Sequence, residues 1–461
     1  MLDRDVVRMG RRQVLKAMAA AAGCSLLPAC ALVPACALAP ACALARACAL
    51  ARGAFAAGSE GWQGSKEDEA FLDDLERQGC LFFWEQGSEK TGQVLDRARN
   101  DLGGKRDSRT MASIAATGFG LSALCIADHR GYLPHAQIVE RVKTTLHWHL
   151  NSLPEVHGFY YHFTNIETGK ELPGVELSSI DTALLLCGVL TAGAYFEDKE
   201  IHSLAQQIYE RVDWPWMLNG GKAFSMGWHP GKGFLDSRWN HYCELMMIYL
   251  LAIGSPTHPV SPDHWNNFTR PMIHYKGFDY ISGDDPIFTH QYSQAWYDFR
   301  GKRDAYANYF DNSVTATRAH KAFCLSYPQW YTDDYWGMSA SDAETGYAAW
   351  GGPPAQGNIT GAVVPCASAG SLAFLPEDCL HVLRAMRAKF GKQAWGRYGF
   401  VDAFHPATNW YDPDVLGIDQ GISVIMAENL RSGLIWEAFM RNPSSVNAME
   451  RVGFHGTGKL A

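Results

Sequence analysis

The sequence predicts an all-α protein, a toroid of paired helices with long rim loops and a few short strands. Three observations carry this. Apolar residues recur at helical spacing from about Trp62 to Phe454. Prolines such as Pro134, Pro154, Pro256 and Pro259 punctuate the connections. The alternating short strands of an all-β chain are missing, apart from Gly158-Phe-Tyr-Tyr-His-Phe163, which suggests a hairpin.

In order, Phe71, Leu72, Leu75, Gly79, Phe82 and Phe83 make the first helical stripe. Helices are then expected over 113–127, 138–150, 179–196, 201–214, 239–253, 304–325, 376–390, 421–430 and 432–441. Ser178-Ser-Ile-Asp181 reads as a capping box. Ser237 is the expected N-cap of the 239–253 helix, which places Glu244 nearly two turns inside it. The segments 158–174, 220–234, 275–299, 327–360 and 398–419 are long, aromatic and rich in glycine. Loops of that length in a compact domain are usually functional, and in a toroid they crowd one rim.

The first sixty residues are set apart. Arg11-Arg12-Gln13-Val14-Leu15 has twin-arginine form, an apolar stretch follows, and no acidic residue occurs from Val6 to Ala57. Export to the periplasm or beyond is expected, with Cys24 and Cys30 in imperfect settings for a lipid anchor. A six-residue Ala-Cys-Ala-Leu repeat holds Cys30, Cys36, Cys42 and Cys48 and reads as low complexity. The organisation is therefore 1–60, signal and repeat, followed by one domain over 61–455. Seven further cysteines are widely spaced inside apolar runs and are expected as buried free thiols.

With 40 basic against 48 acidic residues the net charge is −8, which argues against a nucleic-acid partner. The 17 histidines form no metal motif, and there is no Gly-x-Ser-x-Gly elbow or phosphate loop. No metal and no cofactor are expected. What stands out is carboxylates among aromatic residues, since buried charge is costly and needs a reason. A sugar-cleaving cleft supplies one, because aromatic faces stack on sugar rings and two carboxyl groups in unlike surroundings do acid and base work.

Glu244, in Tyr242-Cys-Glu244, is the candidate acid, with a structural ion pair as the plain alternative. Asp419, in Gly417-Ile-Asp-Gln-Gly421, is a candidate base or a helix cap, and Asp402 is its rival. Asp181 reads first as a capping residue, with Glu176 beside it. Asp96, Arg97 and Asp342 suit sugar hydroxyls, although solvated surface is the commoner role for an acid like Asp96. His162, Trp228, Trp239, Gln291, Trp336, Phe400 and Trp410 complete the expected substrate-binding set. The loop histidines His162, His229 and His290 leave an isomerase or epimerase as a distant alternative.

These segments resemble a known family. Ser178-Ser-Ile-Asp-Thr-Ala-Leu-Leu185, Tyr242-Cys-Glu-Leu-Met246, Leu251-Ala-Ile-Gly-Ser-Pro-Thr-His-Pro259, Trp336-Gly-Met-Ser-Ala-Ser-Asp342, Tyr398-Gly-Phe-Val-Asp-Ala-Phe404 and Gly417-Ile-Asp-Gln-Gly421 are similar to the bacterial glycoamylase-like family of endo-β-1,2-glucanases and sophorose-releasing relatives. The resemblance spans about 69–440. It implies an (α/α)6 barrel and inverting hydrolysis of β-1,2-glucan, with an oligo- or polysaccharide as partner and a monomeric chain. It also implies Glu244 as acid, Asp181 in the cleft, and Asp419 before Asp402 as base. Exo-acting release of disaccharides, transglycosylation and a catalytically silent glucan-binding protein remain alternatives. Cys243 stands where the family usually has Asn, and a thiol cannot reproduce an amide's hydrogen bonds.

Overall fold

The computed structural model describes residues 62–283 and 286–457. The expected signal and repeat lie outside them. Helix α1 (Lys66–Glu85) starts at a complete capping box between Ser65 and Asp68 and buries the expected stripe from Phe71 to Phe83. Helices α2 (Ile114–His129) and α4 (Ser179–Tyr195) are apolar around most of their circumference and buried over nearly their whole length. A helix of that kind must be enclosed by others. The one-sided helices α3 (His135–Asn151) and α5 (Lys199–Glu210) pack outside them. Gly118 and Gly188 let α2 and α4 cross closely, since a Cβ on Gly188 would stand 1.9 Å from the Gly118 carbonyl oxygen.

The chain continues through α6 (Trp214–Leu218), α7 (Met246–Gly254), α8 (Tyr309–Cys324), α9 (Pro365–Ala369), α10 (Pro376–Ala394), α11 (Gly417–Arg431), α12 (Leu434–Met440) and α13 (Pro443–Arg451). The inner segments meet in sequence. Helix α11 packs on α2, α2 on α4, and α4 on α7. The Met247 N–H donates to Ser293 Oγ (3.1 Å), and Gln291 Nε2 donates to the Ala367 carbonyl of α9 (2.9 Å). Helix α9 packs back on α11, closing the circuit.

Short strands stand directly before α2 (Met111–Ser113), α4 (Leu177–Ser178) and α11 (Asp414–Leu416). The first pairs with Val94–Leu95 and Phe163–Asn165, the second with Gly227–His229, and the third with Arg97–Arg99. The N-terminal ends of α2, α4 and α11 therefore share one rim. Backbone bonds run along it from Gly417 to Asp96, Asp96 to Met111, Ile114 to His162, and His162 to Glu176.

Several expected boundaries move. The 239–253 helix begins only at Met246, because residues 239–245 are spent on other contacts. Trp239 Nε1 bonds Ser179 Oγ (2.9 Å), and the Tyr242 N–H bonds the Thr269 carbonyl (2.8 Å). Helix α11 starts at Gly417, four residues early, and α8 starts at Tyr309. The 201–214 stretch divides into α5 and α6 around Asp213, which caps α6. The hairpin falls earlier than expected, pairing Glu155–Val156 with Phe159–Tyr160 around a positive-φ turn at His157 and Gly158. Helices α9 and α13 and two 3-10 turns, Ile287–His290 and Ser293–Ala295, occupy stretches expected to be irregular. The seven body cysteines are buried and free, as expected.

Candidate active site

The rim holds two acidic groups. In the first, Glu176 and Asp181 flank His162. The ring's Nδ1 stands 3.6 Å from Glu176 Oε1, and its Nε2 stands 3.5 Å from Asp181 Oδ2. The Ser178 hydroxyl accepts the Asp181 N–H (3.2 Å), so the capping contact exists while the carboxylate faces His162. The imidazole lies against Phe163, with ring centroids 3.8 Å apart.

Glu244 sits in the next segment, 5% exposed, between buried Cys243 and Leu245. Its carbonyl accepts the Ser293 hydroxyl (2.7 Å). It lies just ahead of α7 rather than two turns inside, and Ser237 caps no helix.

The second group surrounds the start of α11. Asp419 lies in the first turn of that helix, whose N-cap is Leu416, so Asp419 is not the cap. The Asp342 N–H donates to Asp402 Oδ2 at 2.7 Å. Arg97 spans Asp96 (Nε to Oδ2, 3.1 Å) and Asp342 (Nη1 to Oδ2, 2.5 Å). Asp96 is buried, which corrects its reading as solvated surface. Asp412 joins the group, since one oxygen each from Asp342, Asp402 and Asp412 lie within 4.8 Å of one another. Burial holds the Asp402 carboxyl well above the usual range, and the negative charges of Asp419, Asp342 and Asp412 add to this. Asp412 is pushed up to about 8, first by burial and then by Asp342. Three convergent carboxylates are also a donor set for a hard cation. Arg97, already on Asp342, opposes a second positive charge there.

Asp412 and its neighbour Asp414 were not singled out from the sequence. Asp414 is held by both terminal nitrogens of Arg109, at 2.6 and 2.9 Å. A signal for Asp412 existed, because Trp410-Tyr-Asp-Pro-Asp414 sets an acid among aromatic residues much as Asp402 is set.

Other expected residues take structural places. Trp336 is fully buried, Trp239 is 4% exposed and bonded to Ser179, and Phe400 is 4% exposed. None offers an open face to a sugar. Gln291 is buried, its amide spent on Ala367 and Ser371. Trp228 and Trp410 keep partial exposure on rim strands and remain usable platforms. His290 is enclosed between Tyr242 and Ser282 and lowered to about 3 by burial, which removes it as an isomerase base.

A cavity of about 680 Å³ opens at the other end of α11, lined by residues including Trp62, Arg300, Leu430, Arg431, Trp436 and Phe454. Of its three acids, Asp298, Glu437 and Glu450, the first two are paired with Arg300 and Arg441. Volume alone does not make it the reacting site, and the carboxylate-rich rim has the chemistry.

Residues 236–443 match the Glycoamylase family model, "Putative glucoamylase". An exo β-1,2-glucooligosaccharide sophorohydrolase of Parabacteroides distasonis is 26% identical over 432 residues, covering 84% of this chain. The match covers 58% of that enzyme's length. The solved endo-β-1,2-glucanase of Chitinophaga pinensis, in complex with sophorotriose and glucose, is 26% identical, with a TM-score of 0.79 over 84% of this chain and 99% of the other. A solved Bacteroides caccae protein with the family's description is 29% identical, with a TM-score of 0.78 over 84% of this chain and 100% of the other.

Proposed function

We propose that this chain, which belongs to the glycoamylase-like family, hydrolyses β-1,2-linked glucan at the rim where its inner helices begin. The observation that carries the proposal is a set of enclosed carboxyl groups: Asp181 and Asp419 in the first turns of α4 and α11, Glu244 just ahead of α7, and Glu176 and Asp402 in the segments leading to α4 and α11. The similarity to β-1,2-glucan enzymes over more than four fifths of the chain supports the same reading. On it, α2, α4, α7, the 3-10 pair at 287–295, α9 and α11 are the inner members of an (α/α)6 barrel.

Glu244 protonates the departing glycosidic oxygen, and Asp419 activates a water on the opposite face of the sugar. Asp419 is the better base, because it sits in the first turn at the positive end of the α11 dipole. Asp402, whose surroundings favour its protonated form, is the poorer one. Glu176, His162 and Asp181 hold sugar hydroxyls, while Trp228 and Trp410 provide stacking faces. The 61–455 segment acts as one monomeric catalytic domain, delivered outside the cytoplasm by the twin-arginine start.

Incubation of purified protein with linear and cyclic glucans of several linkages, read by product mass, tests this. Reducing ends from β-1,2-glucan alone are expected. Turnover of another linkage, or of none, contradicts it. The likeness to the sophorohydrolase supports a second reading, exo release of disaccharide. That reading requires a single disaccharide product from the earliest time point, whereas endo cleavage begins with a ladder.

A further inference from the structure

We propose that Asp412 is a positioning residue that carries a proton at neutral pH and donates it to Asp342, thereby fixing both the Asp342–Arg97 pair and the carboxyl of Asp402. The kinetic part rests on the hydrolase reading above; the structural part does not. The strand Asp414–Leu416 brings Asp412 in. The Asp412 N–H bonds the Ala403 carbonyl (3.0 Å), and its Oδ1 accepts the Asp414 N–H (3.1 Å). Its Oδ2 is buried and accepts no other hydrogen bond, while a carboxylate oxygen of Asp342 and one of Asp402 lie within 4.8 Å.

Charge requires something there. Asp96, Asp342, Asp402, Asp412 and Asp419 are all enclosed, and Arg97 is the cation bonded among them. Arg109 is bonded to Asp414 and Asp107. Enclosed carboxyl groups this close to one another stay jointly ionised only at high cost. A proton on Asp412 removes one charge and supplies a donor to an acceptor in reach. Asp342 then presents one oxygen to Arg97 and has its N–H on Asp402 Oδ2 at 2.7 Å. Asp412 therefore acts on the candidate base region without touching substrate. The charged groups facing it are Asp342 from the 327–360 segment, Asp402 and Asp414 from its own, Asp419 from α11 and Arg97 from the 97–99 strand.

The experiment compares wild type, Asp412→Asn and Asp412→Ala in the full chain. A carboxyl held at about 8 when folded and near 3.8 when unfolded contributes stability that is complete below pH 4 and is lost as pH rises to 8. The wild-type Tm should therefore fall across that window, and the fall should be about half as steep in Asp412→Asn, which keeps the donor and cannot titrate. In turnover, Asp412→Ala should lower kcat about tenfold, with Asp412→Asn recovering most of it and its alkaline limb moved upward. Equal Tm slopes in wild type and Asp412→Asn overturn the proposal. So do equal losses in the Asn and Ala variants with an unmoved pH profile. A rise in wild-type Tm on adding millimolar Ca2+ or Mg2+, absent in Asp412→Asn, overturns it in favour of a cation site. If wild type cleaves no glucan, the hydrolase reading fails and the Tm comparison still decides on Asp412.

Discussion

Helix α11 has buried acids at both ends, and the two ends hold them differently, although burial raises the pKa of Glu76 at one end as it raises that of Asp402 at the other. At its C-terminal end Glu428 takes a bidentate bond from Arg130, at 2.8 Å to each oxygen, and Glu76 bonds Arg431. Two acids meet two arginines, and the group ties α11 to α1 and α2. About 14 Å along the axis from Glu428, Asp419 lies in the first turn, near Asp402, which converges with Asp412 and the Arg97-bound Asp342. Burial alone thus does not mark a working site. The N-terminal end differs in that Asp342, Asp402 and Asp412 converge within 4.8 Å of one another, and carboxyl groups perturbed by one another cluster at functional sites more often than elsewhere.

The comparison breaks most sharply at Glu244, on the carboxylate-rich rim. Glu244→Gln should cut kcat by about three orders of magnitude while leaving the unfolding midpoint unchanged. Retained turnover would detach the rim from chemistry. Arg130→Met should do the reverse. It strands Glu428 in the core, costs about 3–5 kcal/mol in denaturant unfolding, and leaves the specific activity of the folded fraction as it was. Asp402→Asn should be milder, about a tenfold loss of kcat, if Asp419 is the base; a loss as large as that of Asp419→Asn would exchange the two roles. Trp228→Ala should raise KM several-fold with kcat little changed, because stacking on a half-exposed face is worth about 1 kcal/mol.

Much of the architecture could be read from the chain. Helices α2 and α4 announce themselves because a helix enclosed on all sides must be apolar on all sides. The failures are also physical. Residues 239–245 are buried apart from Asn240 and His241, and apolar content alone does not separate a helix from an irregular segment whose polar atoms are satisfied elsewhere, as Trp239 Nε1 is by Ser179. The helix at Pro443–Arg451 does carry a local signal, a proline in its first turn after Asn442. The candidate acids stood out by their aromatic neighbours. Their partners did not, because Arg97 meets Asp342 across 245 positions and Arg109 meets Asp414 across 305, and no local pattern encodes such pairs.

The most direct test is the crystal structure of the Glu244→Gln protein soaked with a β-1,2-linked oligosaccharide. The account requires the sugar to lie on the rim, with a glycosidic oxygen at residue 244 and a water between the anomeric carbon and Asp419. A chain bound instead in the cavity beside Arg431 and Trp436, with the rim empty, would contradict it.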